Sequence, residues 1–307
     1  MNNPASRFAI SLIVFLMSFF VEAKTIHAGA ADIVFIMDNT GSMQYGDPYF
    51  CSTAGDPTFY RDDIVKKGMQ RERDTASVAV AGFISFNGSG TSGIETSRLQ
   101  PLLNISKSTD PTGLANLNTL QTKVVADSGF PLANPCDRTA SNNTEWYPSF
   151  SIAIGWFNDT TLSKTHNKAI VLISDGAAND YIAKILPLAN GGKLPPVYGI
   201  HLGDSLDVTG NPSNAYQNMR DLSSLTRGRF FRISPRDTVS MRMAMDTVVL
   251  KILGGTTAIF PRILMKPRGG IEIQKWNDVR GRTYFQHNSV LPAGIFPEYF
   301  PSKQVAQ

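Results

Sequence analysis

One stretch constrains this chain more than any other: Ala30-Ala31-Asp32-Ile33-Val34-Phe35-Ile36-Met37-Asp38-Asn39-Thr40-Gly41-Ser42-Met43. Ile33 to Met37 carry no polar side chain, as expected of a strand buried on both faces. The apolar run stops at Asp38. That puts a carboxylate at the strand's carboxyl end, where open α/β sheets build their sites. Thr40 and Ser42 follow at alternate positions, and Gly41 between them lets the turn bend. Asp38, Thr40 and Ser42 offer oxygen atoms only, a donor set suited to a hard cation such as Mg²⁺ or Ca²⁺.

The remaining chain alternates strand and helix signals. A loop rich in Gly, Pro, Ser, Thr and Asp spans Gln44 to Tyr60. Arg61 to Arg73 reads as a helix with Ile64, Val65 and Met69 as its buried stripe. Ala76 to Phe86 is a strong strand, and Leu99 to Ile105 an edge strand broken by Pro101. Asp110 to Ala126 is a helix with Leu114, Leu117, Leu120, Val124 and Val125 roughly on one face. After a second loop, Pro148 opens a helix in which Phe150, Ala153, Ile154 and Phe157 recur at helical spacing. Lys168 to Gly176 repeats the opening theme, an apolar strand ending in Ser174-Asp175-Gly176. A helix around Asp180 to Ala189, a strand from Val197 to Leu202, a helix around Met219, a strand at Phe230-Phe231 and a helix from Asp237 to Leu253 follow. The pattern predicts a doubly wound, mostly parallel α/β sheet.

These residues resemble the von Willebrand factor A (vWA) family. Its first metal loop is Asp-x-Ser-x-Ser at the end of the central strand, here Asp38-Asn39-Thr40-Gly41-Ser42, with Thr for the first Ser. The third loop, strand-Thr/Ser-Asp-Gly, is matched by Ser174-Asp175-Gly176. The second loop supplies a Thr shortly before a helix. Thr144 is the best match and Ser149 the fallback. The resemblance covers residues 30–255 and implies a six-stranded Rossmann-like sheet with one divalent site on top. Asp38, Thr40, Ser42, Thr144 and Asp175 would hold Mg²⁺ or Ca²⁺, with Mn²⁺ as a further candidate. An acidic side chain of a partner would complete the coordination. The implied work is metal-dependent adhesion to a protein or other surface ligand presenting a carboxylate, without catalysis. Phe59, Tyr60, Trp146 and Tyr147 lie on the loops of that face, as ligand contacts or as loop packing.

A net charge of +4 without a dense Lys/Arg run argues against nucleic-acid binding. At the N-terminus, Arg7 precedes an apolar stretch from Phe8 to Val21, and Val21-Glu22-Ala23 offers a cleavage point. Residues 1–23 therefore read as a signal peptide, with an uncleaved anchor as the alternative. The product is expected to be secreted or at the cell surface, the periplasm being a further destination. Cys51 and Cys136, an even count in an exported chain, suggest a disulfide. By the resemblance both would lie on loops crowning the metal face. Residues 256–307 are β-rich, and Asp278-Val279-Arg280-Gly281-Arg282 with Leu291-Pro292-Ala293-Gly294-Ile295 resembles type IX sorting domains.

Two rival readings remain. The first is a structural subunit of an extracellular assembly that uses the same fold without metal-dependent binding. In the second, Asp38-Asn39-Thr40-Gly41-Ser42 also resembles the Asp-Lys-Thr-Gly-Thr of haloacid dehalogenase-type phosphoryl-transfer enzymes, and Ser174-Asp175-Gly176-Ala177-Ala178-Asn179-Asp180 resembles their metal motif. Asp38 would then be a nucleophile, with Asp175 and Asp180 on the metal. Asn39 in place of lysine and Thr40 in place of the acid aspartate count against it. The histidines (His27, His166, His201, His287) are scattered without zinc-binding spacing.

Overall fold

The computed structural model describes residues 29–45, 56, 58–88, 90–126, 144–159, 162–176, 178–203, 214–234 and 236–254, and the backbone of 274–277 and 283–286. The expected signal peptide, Cys51, Cys136 and most of the tail lie outside these residues.

Six strands form one sheet: β1 (Ala31–Asp38), β2 (Ala79–Phe86), β3 (Gln100–Asn104), β4 (Asn167–Ser174), β5 (Val197–Leu202) and β6 (Phe230–Ile233). Their spatial order is β3-β2-β1-β4-β5-β6. All neighbours run parallel except β3, which is antiparallel to β2. This is the expected doubly wound, mostly parallel α/β sheet. Pro101 sits on the edge strand β3, where a missing N–H costs no ladder bond.

Helices cover both faces. On one side lie α2 (Arg61–Thr75), α3 (Thr112–Lys123) and α7 (Thr238–Ile252), packed on Ile33, Phe35 and Met37 of β1. On the other lie α4 (Tyr147–Phe157), α5 (Leu186–Asn190) and α6 (Asn214–Leu225), packed on Val34 and Ile36. A short helix, α1 (Gly41–Tyr45), follows β1 directly. Every residue of β1 and β2 is buried, which is why Ile33 to Met37 and Ala79 to Ile84 read as apolar runs.

Two local expectations change. Helix α3 ends at Lys123, so Val125 falls beyond it and is 41% exposed, and Leu114 is 45% exposed. Only Leu117, Leu120 and Val124 of the expected stripe are buried. The helix expected around Asp180 to Ala189 splits into a π-turn, Tyr181–Ile185, and the separate α5. Pro187 is the cause: it lacks the N–H that a continuous helix would need and suits the first turn of a new one. In the tail, β7 (Gln274–Asn277) pairs antiparallel with β8 (Thr283–Gln286), and the strand expected at Ile271 to Ile273 lies outside the described residues.

Candidate metal centre

The chain winds outward in opposite directions from β1 and β4, so the topological switch point lies between their carboxyl ends. Met37 pairs with Ile173 there, which leaves Asp38 facing Ser174. Ser174 Oγ donates to Asp38 Oδ2 at 2.6 Å and accepts from the Gly176 amide at 2.9 Å. Asp38 Oδ1 accepts from the Thr40 amide at 2.8 Å and from Thr40 Oγ1 at 2.6 Å. Asp38 is completely buried. Burial holds its carboxyl above the usual range, against the lowering pull of the Ser174 and Thr40 hydrogen bonds and of the Arg61 charge.

The hydroxyls converge. Thr40 Oγ1 lies 3.2 Å from Ser42 Oγ, and Thr144 Oγ1 approaches Thr40 Oγ1 at 3.4 Å. Oxygens around a hard cation with bonds of roughly 2.1–2.4 Å sit about 3.0–3.4 Å apart, so these spacings fit neighbouring ligands of one ion. Thr144 is delivered by a parallel bridge to Ala178 and by its carbonyl, which accepts from the Asn179 amide at 2.8 Å. Of the two second-loop candidates, Thr144 therefore meets the cluster. Ser149 Oγ is buried in α4 and makes no hydrogen bond. Asp175 follows Ser174 at the end of β4, partly buried. Gly176 makes its turn with φ +89°, and a Cβ there would come within 2.4 Å of the Ala215 carbonyl oxygen. Among the described residues no cluster of three His, Cys, Asp or Glu is placed to hold a metal ion.

Loop two is braced from outside. Asp180 accepts from the Trp146 amide through Oδ1 (3.0 Å) and from the Tyr147 amide through Oδ2 (2.8 Å), capping α4 from a distant segment. Glu145 Oε2 accepts from the Gly90 amide at 2.9 Å. Trp146 is a correction: its side chain has no exposure and packs edge-on against Tyr181 in the core, not toward a ligand. Tyr147 is 37% exposed, with Lys184 over its ring. Phe59 lies under the Arg61 guanidinium, and Tyr60 packs against the core. His201 is a buried packing histidine against Tyr216 and Phe230. Burial, then the Arg232 charge, lowers its pKa to about 4.

Sequence reasoning missed a buried polar chain beside the site. Arg61, with no exposure, pairs with Asp56 at 3.1 Å and donates to Asn39 Oδ1 from Nε (3.2 Å) and Nη2 (2.9 Å). The Asn39 amide donates in turn to Ser85 Oγ, Glu95 Oε2 and the Val125 carbonyl, at 2.9, 3.0 and 3.0 Å. The one local signal was an aspartate five residues before the arginine that opens a helix.

No protein-family model and no curated protein matches the chain. Solved structures do. An aerotolerance-related membrane protein from Bacteroides fragilis is 14% identical over 72% of this chain and 99% of its own, with a TM-score of 0.43. The SpaC pilus adhesin from Lactobacillus rhamnosus is 12% identical over 73% of this chain and 30% of its own, TM-score 0.48. The SpRpn10 VWA domain is 14% identical over 75% of this chain and 100% of its own, TM-score 0.43. At this identity and overlap such likenesses say nothing of ligand or activity. The strand order defines the fold here: a six-stranded, mostly parallel sheet of doubly wound α/β topology, flanked by helices.

Proposed function

We propose that this is a surface or exported adhesion module that binds a partner's carboxylate through a divalent cation held by Asp38, Thr40, Ser42, Thr144 and Asp175. One observation supports this above the others: at the switch point Thr40 Oγ1 bonds the buried Asp38, and Ser42 from the same loop and Thr144 from the second bring their hydroxyls against that Thr40 oxygen. Two carboxylates only partly offset a divalent charge, so the bound ion would remain electrophilic and accept an outside carboxylate. Thr40 and Ser42 would supply ligands from the first loop and Thr144 from the second, while Ser174 fixes Asp38 by its second oxygen. A mature chain released by its signal peptide would carry this face outside the cell.

The phosphatase reading is weakened by Asp180. Both of its oxygens serve backbone amides of α4, which removes it from the metal role that reading requires. The test is calorimetric titration of the full chain with Mg²⁺, Ca²⁺ and Mn²⁺, wild type beside Asp38→Ala, with a phosphate ester offered to the same samples. One-site binding lost in the variant, without hydrolysis, is the expected outcome. Metal-dependent hydrolysis would move the protein to the phosphoryl-transfer class. Absence of metal binding in the wild type would leave the fold as a structural unit.

A further inference from the structure

We infer that Asn39 is a positioning residue for the proposed cation loop, tying it to the Asp56–Arg61 ion pair and to the Val125 carbonyl. The inference rests on the proposed divalent site. Asn39 stands between two of its residues, Asp38 and Thr40, and is wholly buried. Its amide nitrogen of the backbone donates to the Phe86 carbonyl at 2.8 Å, extending the β1–β2 ladder past the last strand residue. Its side chain is held at both ends. The oxygen faces the Arg61 guanidinium, and the amide nitrogen faces Glu95, Ser85 and the Val125 carbonyl. Glu95 is itself paired with Arg98 at 3.1 Å.

The chemistry of this position is narrow. Charges alternate along the chain Asp56, Arg61, Glu95, Arg98, and position 39 lies in the middle with a cation on one side and an anion on the other. A lysine there would face Arg61. An aspartate would face Glu95. A neutral amide satisfies both, because its dipole runs from one to the other. The hold matters for the cation because Thr40 places both its amide and its hydroxyl on a single oxygen of Asp38. That geometry needs the intervening peptide fixed. Supporting residues of this kind typically alter metal affinity by about 10- to 100-fold when removed.

The test uses the full chain and Mn²⁺ alone as the probe. Affinity is read by calorimetry, ligand geometry by the electron paramagnetic resonance linewidth of bound Mn²⁺, and the fold by thermal melting in EDTA. Asn39→Leu, which adds no charge, is expected to weaken Mn²⁺ binding about 10- to 100-fold and to change the linewidth at saturation. A lower melting temperature in EDTA with Mn²⁺ affinity within about twofold of wild type would reduce Asn39 to a purely structural part and overturn the inference. Should Asn39→Leu fail to fold, Ser85→Ala removes one of the three acceptors and is expected to weaken binding measurably. Unchanged affinity in that variant overturns the inference equally. A wild type that binds no Mn²⁺ sinks the site itself, whereas wild-type binding with unaffected variants sinks only the role of Asn39.

Discussion

Asp32 and Asp38 lie near opposite ends of the same central strand, and neither has any solvent exposure. Asp32 has a nitrogen base on it: its Oδ1 lies 2.7 Å from His166 Nδ1. Nearby Glu72 is also fully buried, and its carboxyl is pushed well above the usual range by burial first and by the Asp32 charge second. Asp38 instead is ringed by hydroxyls and a backbone amide. Burial of a carboxylate therefore does not by itself mark a site. A carboxylate already answered by a basic ring belongs to the packing of the sheet's lower end. The one whose near neighbours are hydroxyls and an amide is the one that the proposed function assigns to a cation.

Paired substitutions test that contrast most severely. A ligand at 100 times its dissociation constant stabilises a fold by about 2.7 kcal/mol. That divalent-induced rise in melting temperature should vanish in Asp38→Asn and persist in Asp32→Asn. Equal loss in both variants would erase the distinction between the two ends. Trp146→Ala comes next. Because the ring is core and not ligand surface, the variant should lose about 3–5 kcal/mol in denaturant unfolding performed in EDTA. A loss near zero, with weakened partner binding, would return Trp146 to the ligand face.

Glu72 sharpens the comparison through pH. Its folded pKa lies above the ordinary 4.5, so the folded state holds the proton more tightly than the unfolded chain. The stability this gives is fully present below pH 4.5 and is lost as pH rises through the folded pKa. Wild type should thus lose melting temperature relative to Glu72→Gln as pH climbs from 4.5, the two converging in acid. Parallel pH curves would show that Glu72 is not titrating in the fold. The smallest effect belongs to the half-exposed pair Lys66–Asp62 on α2. Lys66→Ala should cost less than about 1 kcal/mol, far from either end of β1.

What could be read from sequence followed from locality. Strands β1, β2 and β4 announce themselves because burial on both faces forbids polar interruptions over several consecutive residues. Asp38, Thr40 and Ser42 were legible because their convergence happens within five residues. The Asn39–Arg61–Glu95 chain was not, since its members come from a strand end, a helix start and the β2–β3 connection. Only the folded sheet brings them together. Trp146 misled for a related reason: between Glu145 and Tyr147-Pro148 it has the composition of an exposed loop, but the Asp180 cap pulls the segment down onto Tyr181. The break at Pro187 was visible in the letters and should have divided the helix.

The foot of the sheet also sets how the domain would carry load. The Gly29 amide donates to the Leu253 carbonyl at 2.8 Å, and the Asn167 side chain donates to the Ile252 carbonyl at 3.0 Å. Chain entry and chain exit are thus clasped together at the end of β1 opposite Asp38. Tension applied at Gly29 and Leu253 would load this clasp first, at the end of the strand away from Asp38. Under the proposed function, a tug from a partner held at Asp38 would travel the full length of β1. It is resisted in shear by the parallel ladders to β2 and β4, whose many hydrogen bonds must give way together.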